Sequence, residues 1–301
     1  MSVRRIAADF PFLATFDAAR AGLPGAPIDW LQAARRDGLV RFRDQSLPSR
    51  RVESWKYTDL RDLATTDFAA PDGPIGAALR ERVAPIGAAN SVRLVIANGR
   101  VELALSRLSG LPAGVHLMPM STALDSHTDL LKAHVARVSA LDGDGLLALN
   151  AAFMMDGYVL VLDDGAQVAP TIEIVFAADG GSGPIALHPR NLIVMGQGSA
   201  ATVVETHVGD GVYWSNPVSE IVMGQGASLR RYKVQQESAD AFHLAQDRIA
   251  LASGAHYRGF LGAFGARLAR QSVTATINGA DAAFDVAGTY LLRDNQHSDI
   301  T

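Results

Sequence analysis

The chain has no cysteine in its 301 residues, which excludes disulfides, thiolate metal ligands and a cysteine nucleophile within it. It also lacks an excess of positive charge. With 27 Lys and Arg against 31 Asp and Glu, the net charge is −4, and no Lys/Arg cluster falls on any candidate strand, so binding driven by nucleic-acid phosphates is not expected. Long apolar runs are missing as well: no uninterrupted stretch approaches the roughly 18 residues of a membrane span, and no membrane association is expected. Arg4 and Arg5 suggest an export signal, but Asp9 and Asp17 interrupt the apolar segment such a signal needs. The expected location is the cytoplasm. A composition of 48% apolar and 19% charged residues fits a soluble globular chain, long enough for two domains.

What is present is a repeat. The segments VLDDGAQ, VMGQGSA, VMGQGAS, ALASGAH and ATINGAD align on Gly165, Gly198, Gly226, Gly254 and Gly279, each followed by Ala or Ser, at steps of 33, 28, 28 and 25 residues. That interval is the signature of stacked repeat units. Between the glycines lie short β-branched runs at 159–162, 172–176, 192–195, 202–204 and 221–223, and the alternating Val273, Ala275 and Ile277. These read as strands, with glycine supplying the positive φ of a sharp corner. A chain that returns to the same corner every 25 to 33 residues is most simply a coil of parallel strands. The competing β-sandwich would not reuse one dipeptide at this spacing.

Before the repeats, residues 7–21 have helical spacing, with Phe12, Leu13 and Phe16 on one side. A second helix is expected from Asp29 as N-cap, with Trp30, Leu31 and Ala34 inward and Gly38 as its stop. In the dense run at 47–61, Trp55 and Tyr57 read as packing anchors, Arg51 and Glu53 as surface ions. Asn98-Gly99 predicts a type I′ hairpin between 92–97 and 101–105. Residues 128–139 predict a helix with Leu130, Leu131, Val135 and Val138 inward. His127 and His134, seven apart, lack a third ligand and read as ordinary polar residues. Gly143-Asp-Gly145 marks a boundary.

Within the repeats the chemical candidates are His188, His207, His243, His256 and His297, with Asp281, Asp285, Asp294 and Asp299. A coil enzyme cutting polysaccharide needs carboxylates in one column on successive turns. Two residues before each glycine stand Asp163, Gly196, Gly224, Ala252 and Ile277, so no such column forms. Hexapeptide-repeat acyltransferases need a glycine-bearing step of about six residues and are excluded.

The run RVESWKYTDLR at 51–61 is similar to a stretch near the N-terminus of the SufD branch of the SufB/SufD family, which acts in SUF iron–sulfur cluster assembly. Leu149-Asn-Ala-Ala-Phe-Met-Met-Asp-Gly157 resembles that family's LN-x-AF-x-x-DG entry into its core. His188-Pro-Arg-Asn-Leu, Tyr213-Trp-Ser-Asn-Pro-Val-Ser-Glu-Ile, Gln271-Ser-Val and Tyr290-Leu-Leu-Arg-Asp-Asn-Gln-His297-Ser-Asp299 also fit. The fold expected is therefore mainly β: an N-terminal α/β, mostly helical domain with a hairpin over 1–145, then a right-handed parallel β-helix over 146–301. His297, in the part most like the family and beside Asp299, is the one weak metal candidate. No catalytic and no cofactor-binding residue is assigned.

The resemblance implies a non-catalytic scaffold. Its partners would be a SufB-like subunit and a SufC-like ABC-type ATPase, with an iron–sulfur cluster assembled transiently by the full complex and no cofactor held by these residues. It also implies further strands, a cysteine–histidine segment and a helical C-terminal domain, all absent from these residues, so that the coil reads as cut at Thr301 and a homodimer through the open edge is possible in isolation. The alternative is a carbohydrate-active β-helix enzyme, a polysaccharide lyase or hydrolase.

Overall fold

In the computed structural model, which describes residues 5–6, 9–135 and 144–301, a two-residue strand pair, β1 (Arg5–Ile6) with β2 (Leu47–Pro48), brackets three helices. These are α1 (Pro11–Ala14), α2 (Phe16–Ala19) and α3 (Asp29–Gln45). Next come α4 (Arg61–Ala64), α5 (Ala77–Val83), β3 (Val92–Ala97), β4 (Arg100–Val101), β5 (Val115–Pro119), α6 (Met120–Ser126), α7 (Thr128–His134) and α8 (Gly145–Phe153).

The single helix expected over 7–21 is two short ones. Pro11 starts α1 at a position where its missing N–H costs nothing, and Thr15 ends it, donating its hydroxyl to the Phe12 carbonyl at 3.0 Å. Phe12, Leu13 and Phe16 are buried; residues 7 and 8 lie outside the described residues. Ile28, not Asp29, is the N-cap of α3, and the helix runs straight through Gly38. A Cβ there would sit 2.7 Å from the Ala148 carbonyl oxygen of α8, so this glycine allows two helices to touch rather than stopping one. The hairpin forms with Asn98 and Gly99 both at positive φ. Its second strand is only β4, because 103–105 wind into a 3-10 turn. His127 lies between α6 and α7 with φ −132, so it and His134 do not share a helix face. Val138, Ser139 and Gly143 lie outside the described residues. Asp144 caps α8 by accepting from the Leu146 and Leu147 N–H groups at 3.0 and 3.2 Å.

From Tyr158 onward the regular structure is β: β6 (Tyr158–Leu162), β7 (Ile172–Leu187), β8 (Arg190–Met195), β9 (Ala200–Ser215), β10 (Val218–Met223), β11 (Ser228–Gln236), β12 (Phe242–Leu251), β13 (His256–Ala263), β14 (Leu268–Ile277), β15 (Ala283–Tyr290) and β16 (His297–Ile300). They wind into a solenoid with two main faces. One stacks β6, β8, β10, β12, β14 and β16 in parallel, with β5 added antiparallel at its start; the other stacks β3, β7, β9, β11, β13 and β15 in parallel. The near-identical repeats lie side by side: Ile193 pairs with Ile221, Val194 with Val222 and Met195 with Met223. Their inward members, Leu160, Ile193, Ile221 and Ile249 in one column and Leu162, Met195, Met223 and Leu251 in the next, build the central core. Burying each is worth about 1.5–3 kcal/mol.

β7 and β9 are long because they bend around the solenoid's third, narrow side, with a register shift between Gly180 and Ile185. There β9 hands over to β12 through Trp214–Phe242 and Ser215–His243. Helices cover three outer surfaces. Phe10, Phe42, Leu60 and Leu63 pack on Trp214, Phe242 and Leu268; α5 packs on Val175 and Val208; α6 and α7 pack on Val159 and Leu192.

Four of the five glycine corners have positive φ: Gly165, Gly198, Gly226 and Gly254 at 64° to 72°. Each N–H donates to the carbonyl just before the next corner, the last of these bonds running from Gly254 to Ala280 at 2.9 Å. The fifth corner is thus Asp281, at φ 58, and not Gly279. Gly279 answers a different demand, since a Cβ there would lie 2.4 Å from the Ser253 nitrogen.

Candidate functional site

On a strand, alternate residues face one side, and the solenoid's interior columns change character half-way along. On β9 the inward residues are Ala201, Val203, Glu205 and His207; on β11 they are Leu229, Arg231, Lys233 and Gln235. The ladder places Val203 beside Arg231, Glu205 beside Lys233 and His207 beside Gln235. Across the lumen β12 contributes His243 and Asp247, β10 Ser219 and β14 Gln271, all buried. Apolar and polar halves thus share one interior.

The polar half is a single connected network. Arg231 Nε donates to Glu205 Oε1 at 2.6 Å, its second nitrogen lies 2.9 Å from Asp247, and its third donates to Ser219 at 2.8 Å. Tyr158 donates its hydroxyl to the same Glu205 oxygen at 2.5 Å. Lys233 reaches both Asp247 oxygens and Gln271 Oε1, each at 3.3 Å. The Gln271 amide nitrogen lies 2.8 Å from His243 Nε2, and His243 Nδ1 lies 2.8 Å from Glu237 Oε2, which also accepts from Gln235 at 2.9 Å. His207 stands perpendicular to His243 at 4.9 Å and stacks on Phe176 at 4.7 Å.

Protonation follows from these contacts. Burial works to raise the carboxyls of Glu205 and Asp247, but the Arg231 guanidinium outweighs it, holding Glu205 well below and Asp247 below the usual range. Glu237 is likewise held low against burial by His243. Burial lowers the His207 imidazole and, with Glu205 adding to it, lifts the Tyr158 phenol well above its ordinary value. A buried ionic cluster is costly to build and often no more stable than an apolar replacement. Its place in an interior that the neighbouring columns fill with Ile, Leu and Met marks it as the candidate site.

The sequence candidates are dispersed differently. His207 and His243 come together in the lumen. His188 is packed among Phe12, Phe153 and Trp214. His256 is exposed on β13, and Asp285 and Asp294 are exposed near the far end. His297 Nε2 lies 3.5 Å from the Thr58 hydroxyl, which donates to Asp299. Asp299 also receives Arg270, whose guanidinium lies 4.1 Å over Trp55 and donates to the Ser54 carbonyl at 2.7 Å. The aromatic run at 51–61 is thereby fastened to the solenoid through Trp55 and Thr58, while Tyr57 is 75% exposed. Asn150 donates to the Pro189 and Asn216 carbonyls at 2.9 and 2.8 Å, clamping two successive turns. Glu205, Arg231, Lys233, Glu237 and Asp247 were not singled out from sequence, although the 28-residue step sets Glu205 beside Lys233.

Comparison with known proteins agrees with this architecture. A model of the SufBD protein N-terminal region matches residues 8–174, and a model of the SufBD core domain of SUF FeS cluster assembly matches 176–301. Among curated proteins, the chain is 28% identical over 242 residues to an iron–sulfur cluster assembly SufBD family protein of Synechocystis, covering 76% of this chain and 53% of that one. It is 25% identical over 248 residues to the iron–sulfur cluster assembly protein SufD of Escherichia coli, covering 80% and 55%. A chloroplastic protein of Arabidopsis thaliana, ABCI7, is 24% identical over 281 residues, covering 87% and 58%. The chain thus spans little more than half the length of these relatives.

Proposed function

The chain belongs to the SufB/SufD family, and on that premise we propose that it is a scaffold subunit of SUF iron–sulfur cluster assembly that performs no complete reaction by itself. The observation that carries this reading is the pair of family models, which run through both the helical region and the solenoid. A stack of strands in continuous register is stiff, and stiffness suits a platform on which other subunits move. The partners are a SufB-like subunit of similar shape and a SufC-like ABC-type ATPase that supplies the motion, and the cluster is cargo of the assembly. His297, beside Asp299 and Thr58, remains the weak candidate for handling a metal at this end. No helix of the described residues is long and apolar enough to cross a membrane.

The test is reconstitution. The full-length protein, mixed with the SufB- and SufC-like proteins of the same source, should elute as one complex by size exclusion with light scattering, and the complex should support ATP-dependent cluster formation. Separate elution of all three components would refute the proposal. The alternative of a polysaccharide lyase or hydrolase has no support from the comparisons, and Glu205 and Asp247 are buried in the interior instead of lining an open groove.

A further inference from the structure

Inside the solenoid, where β9, the end of β11 and the start of β12 meet, His207, Glu237 and His243 each offer one ligand atom within 4.8 Å of the others, and all three are buried. Two features set this group apart from the ion pairs around Arg231. First, neither ring nitrogen of His207 has a hydrogen bond, although the side chain is almost fully buried, while His243 Nδ1 faces the Glu237 carboxylate at 2.8 Å. A buried polar atom without a partner costs about 1–3 kcal/mol, and such atoms call for a ligand. Second, a further carboxylate oxygen, Glu205 Oε2, lies 3.8 Å from His207 Nε2, beyond hydrogen-bonding distance.

We propose that His207, Glu237 and His243 form a binding site for one first-row divalent transition-metal ion, of the Fe(II) or Zn(II) class, inside the solenoid. Two imidazoles and one carboxylate are a ligand set that such ions take, with coordination positions left open. Hard, oxygen-seeking ions such as Mg²⁺ and Ca²⁺ are disfavoured by the two nitrogens. Gln271, whose amide nitrogen lies 2.8 Å from Nε2, fixes the ring of His243 so that Nδ1 faces the Glu237 oxygen. The Arg231 and Lys233 cations are engaged by Glu205 and Asp247, so the negative charge of Glu237 remains for the ion. Glu237 also lines a cleft of about 590 Å³ bounded by Gly265, Arg267, Asp294 and Gln296. The site stands on geometry and does not depend on the scaffold reading.

The test uses the protein stripped with a chelator and titrated with Co(II), whose visible d–d bands report nitrogen and oxygen ligation, and with Fe(II) without oxygen. Wild type should take up one equivalent with a ligand-field spectrum. His207→Gln and His243→Gln should each weaken binding by at least about tenfold, and His256→Ala, at an exposed position on β13, should leave it unchanged. Glu237→Gln, which keeps the side-chain shape, should also weaken binding and decides the matter if a histidine variant fails to fold by circular dichroism. Absence of uptake by folded wild type, an unaltered spectrum in the folded His207, His243 and Glu237 variants, or loss of the ion in His256→Ala would each overturn the proposal.

Discussion

His188 makes the stability of this protein fall with acid in a way that can be calculated. It sits at the corner after β7, 1% exposed, with the rings of Trp214, Phe12 and Phe153 at 5.4, 5.8 and 5.9 Å. Its Nδ1 lies 3.2 Å from the Asn216 amide nitrogen, a donor, and its Nε2 has no partner. Protonation would aim a second N–H at a donor and bury a charge among aromatic rings. Burial accordingly pushes its pKa down to about 3, while an unfolded histidine titrates near 6.5. Between these values the unfolded chain holds a proton that the folded chain refuses. Stability is therefore complete above about pH 6.5 and drops by about 1.4 kcal/mol per pH unit below it, or about 2 kcal/mol by pH 5. The assay is urea unfolding followed by tryptophan fluorescence and circular dichroism across this range, for wild type and His188→Gln. Burial of His207 acts in the same direction, so both proteins should lose stability, with wild type losing the contribution of one additional proton. Equal slopes in the two proteins would show that His188 already carries its proton in the fold, and the reasoning would fail.

Other perturbations have comparable readouts. Arg231→Met leaves Glu205 and Asp247 without their principal counter-ion and should cost about 3–5 kcal/mol in denaturant unfolding; adding Glu205→Gln and Asp247→Asn should restore much of it. Gly157→Ala puts a Cβ 2.1 Å from the Arg190 carbonyl oxygen and should cost about 1–3 kcal/mol or more, a loss that asparagine would deepen. At Gly198, with open space but φ +64, alanine should cost about 1–2 kcal/mol and asparagine less, because its side chain tolerates left-handed backbone. Arg270→Lys keeps a charge for Asp299 but loses the stack on Trp55, so proteolysis in 49–57 should become faster, with a stability loss of about 1 kcal/mol.

The coil was legible because the chain spells its strand pairing twice over: the two Val-Met-Gly-Gln-Gly segments pair residue for residue. What resisted reading has identifiable physical causes. Left-handed backbone at a corner is open to Asp as well as Gly, so Asp281 takes a role that spacing assigns to Gly279. Gly38 has the composition of a helix stop and the function of a helix contact. The strand at 202–204 looked short because Glu205 and His207 follow it, and alternation with charged residues ordinarily marks a solvent face. Here the charged set faces inward, and partners 12 to 47 residues away, such as Arg231 for Glu205 and Asp247 for Lys233, make that placement tolerable. His188 and His243 carry no local sign of burial for the same reason.

The corner at Asp281 has one more consequence. From Leu251 to His256 the chain takes five steps, and from their neighbours Ile277 to Ala283 it takes six, yet both ends stay paired. The turn that begins at Gly165 likewise absorbs its surplus in two places, between Gln167 and Ile172 and between Gly180 and Ile185. Corners and bends thus work as expansion joints, taking up length while the ladders on either side hold their alignment. Peptide tags or crosslinking sites grafted there should leave the interior undisturbed, whereas a single residue inserted at Thr206 or Tyr232 would turn the charged columns inside out.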